Sequence, residues 1–312
     1  MTFFALVALW AVSPVASMDQ LGIYRETSLS LFKTANGYLL NSASEGAAVL
    51  FDAHGNLIGS YRKQGLGPGE FHRQYVLKLD QSGIHFCSNG RFVMSFDPQL
   101  NPIPAELPNL PLHLPPNASF GLGWQPGSVL VALAGSSHLF TEVRFKGKHW
   151  EMGRQFFPTQ TSVTSDPRHF LQSGKRSLVH HRTTFASDAA VSEHEDHYQI
   201  EVFSKFLQTG KATAPDLILS ADVDEFGTFI GMRALITNIA KTPAGFVVEL
   251  VSDMRRGGAH RRWHDHFSLN GQFQARINAD GTLLLPSINA AEVFTIEDRG
   301  EDRVLIPLAT PQ

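Results

Sequence analysis

Four arginines and three histidines fall within one short stretch of this chain. The stretch reads Arg255-Arg256-Gly-Gly-Ala-His260-Arg261-Arg262-Trp263-His264-Asp265-His266. Guanidinium groups bind carboxylate, phosphate or acidic sugars through paired hydrogen bonds, and an indole ring stacks on sugars. On a strand, His264 and His266 share one face with Asp265 opposite. The candidate recognition residues are therefore Arg255, Arg256, Arg261, Arg262, Trp263, His264 and His266. A solvated hairpin is the alternative.

Two further clusters carry groups that can ligate metals. Imidazoles and carboxylates occur at His180-His181 and at His194-Glu-Asp-His197, a set that suits a divalent transition metal. Alternating carboxylates at Asp222-Val-Asp224-Glu225 suit Ca²⁺ but lack the spacing and glycine of an EF-hand loop. His194, His197, Asp222 and Asp224 are thus weak metal candidates, and solvated polar loops are the alternative. No metal or other cofactor is assigned.

The sequence contains none of the common catalytic motifs. It has no Gly-x-Ser-x-Gly elbow, phosphate loop, His-Glu-x-x-His or Cys-x-x-Cys, so no catalytic residue is assigned. The one cysteine, Cys87, lies within Ile84-His-Phe-Cys-Ser88 and is interpreted as a small buried residue of a strand.

Short strands separated by turns repeat along the chain at a fixed spacing. Gly37–Ser42, Ala48–Asp52 and Leu57–Tyr61 are followed by Gly83–Ser88, Phe92–Asp97 and Pro102–Pro104. Phe51-Asp52 and Phe96-Asp97 are 45 residues apart, and each Asp is expected to cap a turn. A period of about 40–50 residues with several strands is typical of a propeller blade.

Between the two copies lies Gly65-Leu-Gly-Pro-Gly-Glu-Phe71. This turn, followed by Tyr75–Asp80, Gly83–Ser88 and Phe92–Asp97, resembles an NHL-type repeat of six-bladed β-propellers. The resemblance covers about residues 30–104 and departs at Gln74, where the repeat usually has proline. It implies a fold used by binding scaffolds, lyases and metal-dependent hydrolases.

Later units keep the period less strictly. Strands are predicted at Gly127–Leu133, His138–Phe145 and His149–Phe156, then at Lys175–Thr184 and His197–Phe203, and again from Gly245 to Leu308. We therefore expect an all-β propeller of six blades of four-stranded antiparallel sheet, with five or seven as alternatives. Leu21–Phe32 is expected to close the ring by pairing with the C-terminal segment.

The N-terminus resembles a secretory leader. Phe3–Val12 is apolar, Pro14 breaks the run, and Val15-Ala-Ser17 offers small residues for cleavage before Met18. The first residues, Met1-Thr2, carry no basic side chain, and a buried first strand is the alternative. The prediction is a signal peptide over 1–17 and one domain over 18–312, secreted or periplasmic.

These observations favour a non-catalytic binding or scaffold protein whose loop face holds a protein, peptide or glycan partner. The alternative is a metal-dependent hydrolase or lyase, with a divalent cation at the central channel. A net charge of −3 gives no reason to expect nucleic acid as a partner. The apolar run is too short for a stable membrane span, and a monomer is expected.

Overall fold

The computed structural model shows β-strands throughout the residues it describes. In chain order these are β1 Ala16–Ser17, β2 Leu29–Thr34, β3 Gly37–Ser42, β4 Ala47–Phe51, β5 Leu57–Arg62, β6 Tyr75–Asp80, β7 Gly83–Ser88, β8 Phe92–Phe96, β9 Pro102–Ile103, β10 Ala118–Gly123, β11 Ser128–Leu133, β12 His138–Lys146, β13 His149–Pro158, β14 His169–Gln172, β15 Ser177–Arg182, β16 His197–Phe203, β17 Leu217–Asp222, β18 Arg233–Lys241, β19 Gly245–Asp253, β20 Arg262–Ser268, β21 Phe273–Asn278, β22 Thr282–Pro286, β23 Val293–Arg299 and β24 Asp302–Pro307. The described residues are 15–25, 29–67, 69–72, 74–80, 83–88, 92–103, 118–123, 128–133, 136–146, 149–158, 169–172, 177–182, 197–203, 216–222, 233–253, 261–287, 290 and 292–308.

The strands pair into four-stranded antiparallel sheets that follow one another along the chain. Sheet 1 is β2–β5, sheet 2 is β6–β9, sheet 3 is β10–β13, sheet 4 is β14–β17 and sheet 5 is β18–β21. Sheet 6 combines β22, β23 and β24 with the N-terminal β1. Sheets 1 to 5 are meanders, so the first strand of each lies at one edge and the fourth strand at the other. In sheet 6, β22 lies at one edge and β1 at the other.

The first strands of successive sheets lie against one another. β18 contacts β14 and β22, β22 contacts β2, and β6 contacts β10. Leu31 of β2 forms a parallel bridge with Ser287, the residue after β22. The two chain segments therefore run in the same direction. Meanders arranged with their first strands together around an axis form a β-propeller. The prediction of an all-β propeller is therefore confirmed.

The second strand of sheet 1 is apolar on both faces, because this sheet is packed between sheets 6 and 2. Leu39 and Leu40 are adjacent on β3 and both are fully buried. Leu39 belongs to the cluster shared with sheet 2, which contains Phe71, Phe86 and Phe96. Leu40 belongs instead to the cluster shared with sheet 6. A strand buried on both faces loses the alternation of a half-buried strand.

The repeated Asp residues cap turns, as the sequence predicts. Asp52 Oδ1 accepts hydrogen bonds from the His54 and Asn56 N–H groups at 2.8 and 2.9 Å, and Oδ2 accepts from Asn56 Nδ2 at 2.8 Å. Asp97 makes the same three bonds, with Asn101 in the place of Asn56. These bonds hold the pKa of both carboxyl groups below the ordinary value.

A glycine begins the second strand of sheets 1 and 2 for a steric reason. A Cβ on Gly37 would lie 2.1 Å from the Phe51 carbonyl oxygen, and one on Gly83 would lie 2.0 Å from that of Phe96. Their φ angles are +146° and +137°, which side chains rarely allow. In each of the two sheets, the repeated glycine and the repeated phenylalanine are therefore the two partners of one close backbone contact.

The ring closes through a different N-terminal segment from the one predicted. β1 pairs with β24, aligning Ala16 with Leu305 and Ser17 with Val304. The prediction that Leu21–Phe32 supplies this strand is wrong, because β2 pairs with β3 as the first strand of sheet 1. Met18 and Ile23 are nevertheless buried, in a turn closed by the hydrogen bond from the Ile23 N–H to the Met18 carbonyl.

Candidate functional site

The end of sheet 5 that carries the predicted arginine segment adjoins the same end of sheet 6. Arg262 begins β20, and its N–H donates to Asp280 Oδ1 at 2.8 Å. Its carbonyl accepts from the Ala279 N–H at 2.8 Å. Residues 279–281 lead from sheet 5 into sheet 6, and the Gly281 carbonyl accepts from the Asp298 N–H at 3.4 Å. The start of β20 and the end of β23 therefore lie at one end of the propeller.

The contacts continue from sheet 6 to sheet 1. The Arg303 carbonyl accepts from the Met18 N–H at 2.7 Å, and Arg303 Nη2 donates to the Ile23 carbonyl at 3.0 Å. Arg62, at the end of β5, donates from Nη1 to the Gly22 carbonyl at 2.7 Å. We call this end the loop face, defined by residues 18–25, 43–46, 62–67, 69–72, 261–262, 279–281 and 299–302.

The glycine-rich turn projects from the loop face and is held by its own hydrogen bonds. Glu70 Oε2 accepts from the Gly67 N–H at 2.9 Å, and Tyr61 Oη donates to the Gly69 carbonyl at 2.7 Å. A Cβ on Gly65 would lie 2.0 Å from Glu70 Oε2, so a larger residue there would displace the Glu70 carboxylate that binds the Gly67 N–H. The turn presents Leu66 with 63% of its surface exposed.

A second apolar side chain is exposed nearby in the N-terminal part of the loop face. Tyr24 is 66% exposed, and its N–H donates to Glu45 Oε1 at 2.9 Å. Tyr24 follows Gly22, which Arg62 binds, and Arg62 lies four residues before Leu66. Tyrosine is enriched where partners bind, and side chains exposed in turns that hydrogen bonds fix are available for such a contact.

The described part of the predicted recognition segment divides between surface and interior. Arg261 is exposed, whereas His264 is only 5% exposed and Trp263 packs against the core between sheets 4 and 5. His266 is half-buried, and burial lowers the pKa of its imidazole, with the neighbouring His264 adding to the effect. Arg255 and Arg256 lie outside the described residues. Among the described residues of this segment, only Arg261 is exposed enough to contact a partner at the surface.

Arg262 and His264 are directed towards a buried carboxylate that the sequence did not single out. Glu249 on β19 is fully buried, 3.4 Å from Arg262 Nη1 and 3.7 Å from His264 Nε2. It accepts hydrogen bonds from the Leu284 N–H at 2.7 Å and from the Thr237 hydroxyl. Leu284 belongs to sheet 6, so Glu249 joins sheet 5 to sheet 6.

The electrostatics of Glu249 reflect this set of donors. Burial alone raises the pKa of a carboxyl group, but the His264 imidazole, the Leu284 N–H and the Thr237 hydroxyl outweigh it. The net pKa of Glu249 is lowered, and the group is ionised at neutral pH. Two other buried carboxylates also pair with arginine: Asp265 with Arg276 at 2.7 Å through two bonds, and Glu142 with Arg144 and Arg154. These pairs serve the packing of the sheets.

Two of the four weak metal candidates fall outside the described residues. His194 and Asp224 lie there. His197 is the first residue of β16 and Asp222 the last of β17, and the register pairs them directly. Within the described part of the chain, no three His, Cys, Asp or Glu residues are grouped as metal ligands would be.

The register also aligns residues that the sequence did not connect. His169 on β14 pairs with His180 on β15, and His180 pairs with Glu201 on β16. The sequence analysis grouped His180 with His181 and with residues 194–197, because the pairing of β14 with β15 is not visible in the sequence. Only the strand register shows that His169, His180 and Glu201 lie side by side on adjacent strands.

Cys87 is fully buried, as predicted. It packs with Val129, Val131 and Val143 of sheet 3. Burial raises the pKa of its thiol to about 11, although the Tyr75 hydroxyl opposes the shift. A neutral, buried thiol is unreactive.

Comparison with known proteins adds little beyond the fold. No protein family and no curated protein matches the sequence, so the NHL-type resemblance is not supported by a family match. Among solved structures, the chain is similar to the β-propeller domain of Myceliophteria thermophila Cps50 (Swd1). The two share 9% identity over 91% of this chain and 97% of that one, with a TM-score of 0.47. No helix among the described residues has the length and apolarity needed to cross a membrane.

Proposed function

We propose that this chain is an exported, non-catalytic β-propeller scaffold that binds a protein, peptide or glycan partner through its loop face. We further propose that each of the six sheets is one blade and that sheets 1 and 2 carry NHL-type repeats. A crystal structure with another number of sheets around the axis would contradict the blade count.

One observation carries the proposal of a binding face. A continuous set of hydrogen bonds joins the ends of sheets 5, 6 and 1, and so brings Arg261 to the same end of the propeller as the exposed Tyr24 and Leu66. Arginine and tyrosine are enriched where partners bind. The buried carboxylates Glu249 and Asp265, in contrast, are paired with arginines of their own sheet, which favours recognition at the surface over chemistry within the sheet.

The chain offers a matched control for testing the loop face. Leu269 is 53% exposed, comparable with Leu66 at 63%, but it follows the far end of β20. That strand begins at the loop face with Arg262 and ends at Ser268. Six steps at about 3.3 Å place the two ends roughly 20 Å apart. Leu66→Ser and Leu269→Ser thus make the same change at opposite ends.

The experiment probes a glycan array and a displayed peptide library with the purified full-length protein. We expect bound members whose signal falls at least tenfold with Leu66→Ser, Tyr24→Ser or Arg261→Ala and is unchanged with Leu269→Ser. Binding that responds equally to Leu66→Ser and Leu269→Ser would contradict a loop-face site.

A metal titration distinguishes this function from the hydrolase or lyase alternative. The protein is treated with EDTA and melted with Ca²⁺, Mg²⁺, Mn²⁺ or Zn²⁺. A ligand at one hundred times its dissociation constant stabilises the folded state by about 2.7 kcal/mol. We expect no shift in the melting temperature. A rise of several degrees with one ion would favour the alternative.

A further inference from the structure

The three residues before the predicted cleavage point are part of sheet 6. Ala16 and Ser17 form β1, opposite Leu305 and Val304. The Val15 N–H donates to the Leu305 carbonyl at 2.8 Å, and the Ser17 hydroxyl donates to Asp302 Oδ1 at 2.9 Å. Ala16 and Ser17 are thus the fourth strand of the sheet, and Val15 is hydrogen-bonded to β24 directly before it.

The peptide bond between Ser17 and Met18 is itself engaged in this structure. Its N–H, on Met18, donates to the Arg303 carbonyl at 2.7 Å. Ala16 and Met18, on either side of Ser17, are 6% and 0% exposed and belong to one core cluster with Leu31 and Leu305. A chain beginning at Met18 would place a charged ammonium group at this hydrogen bond and would lack the strand before it.

We propose that the Ser17–Met18 bond stays intact and that the mature protein retains residues 15–17, which close sheet 6 against β24. The proposal deepens the proposed function, since it rests on export. A product cut at Ser17–Met18 would leave β24 as an unpaired sheet edge, which is prone to pair with other chains. It would also uncover the core around Leu305.

The first test is the N-terminus of the exported protein. The full chain is expressed with its own leader in an export-competent bacterium, and the extracytoplasmic protein is sequenced from its N-terminus. We expect the first residue to be Val15 or an earlier one. A mature chain that begins at Met18 overturns the inference. Cytoplasmic protein with an intact Met1 contradicts export, and the second measurement then decides whether β1 is in place.

The second test uses a glycine that touches the closing strand. A Cβ on Gly55 would lie 1.9 Å from the Val15 carbonyl oxygen and 3.0 Å from Ala16 Cα. Gly300 has a similar backbone, with φ of +72° against +83°, but its Cβ would meet nothing within 4 Å. The two alanine variants therefore share the strain of a positive φ and differ in the collision with residues 15 and 16.

Melting temperatures of the purified full-chain products decide the outcome. With residues 15–17 in place, Gly55→Ala lowers the melting temperature several degrees more than Gly300→Ala does. Failure to recover folded Gly55→Ala while Gly300→Ala folds counts as the same result. Equal losses for the two variants mean that β1 does not occupy this position, which overturns the inference.

Discussion

At the scale of single residues, the buried polar groups act between sheets. Glu249 binds the Leu284 N–H of sheet 6 while also accepting from Thr237 of its own sheet. Gln74 donates from Nε2 to the Ser42 carbonyl at 2.8 Å, and its backbone carbonyl accepts from Asn41 Nδ2 at 3.3 Å. These bonds form a polar link between sheets 1 and 2.

Glu249→Gln should destabilise the fold in a pH-dependent manner. Hydrogen bonds to a charged group are worth about 1.5–3 kcal/mol, and the neutral amide cannot replace them all. Because the folded pKa of Glu249 is lowered, its contribution is present above the ordinary carboxyl pKa and is lost as pH falls towards the folded value.

Urea denaturation of both proteins at pH 7 and pH 4 measures this difference. The gap between wild type and variant should be larger at pH 7. Glu301→Gln, at an exposed position, serves as the control and should leave the free energy of unfolding unchanged. A gap that widens at low pH would show that the charge of Glu249 does not stabilise the fold.

Asp52→Ala and Asp97→Ala should lower the melting temperature by similar amounts, because the two carboxylates make the same three hydrogen bonds. The lowered pKa of each group means that the loss is present at neutral pH and fades as the carboxylate becomes protonated in acid. Thermal melts at pH 7 and pH 3 measure this. Unequal losses would show that the turns are not equivalent.

At the scale of elements, the sequence predicted strands well and sheet partners poorly. Gly37–Ser42, Gly83–Ser88 and His197–Phe203 have the predicted bounds, because turn residues mark the strand ends. The arginine segment was misleading, since Arg262 and His264 face a carboxylate on a neighbouring strand. That partner lies 13 and 15 residues earlier in the chain, and the sequence shows spacing but not register.

Gly83→Ala should cost more stability than Gly281→Ala. Both glycines have positive φ, at +137° and +78°, a backbone conformation that costs an alanine on the order of 1–3 kcal/mol. A Cβ on Gly83 would in addition collide with the Phe96 carbonyl, whereas one on Gly281 would meet nothing within 4 Å. Denaturant unfolding of the two variants measures the difference. Equal losses would mean that the approach of β8 to Gly83 is not constrained.

At the scale of the whole molecule, the N-terminal segment is part of the core between the last sheet and the first. Met18, Leu21 and Ile23 are at most 1% exposed and share one cluster with residues of β2, β4 and β24. The sequence predicted that the termini close the ring. It placed the closing strand within Leu21–Phe32, because this segment contains apolar residues, whereas the strand lies earlier, at Ala16–Ser17. Burial in a turn and burial in a strand leave the same apolar signal.

Leu21→Ala should therefore cost about 2–5 kcal/mol, as expected for a fully buried leucine. Leu66→Ala, at an exposed position on the same face, should cost little. Denaturant unfolding followed by tryptophan fluorescence measures both. A loss for Leu21→Ala as small as that for Leu66→Ala would mean that the segment does not seal the ring.

The direction of β1 and β24 also determines how the molecule can be attached to another object. β1 runs towards the loop face and β24 runs away from it, so Val15 and Pro307 lie at the opposite end of the propeller. A tether joined to Val15 or Pro307 would therefore start at the end of the propeller opposite Tyr24 and Leu66. A protein immobilised through such a tether would present its loop face outward, available to whatever approaches from solution.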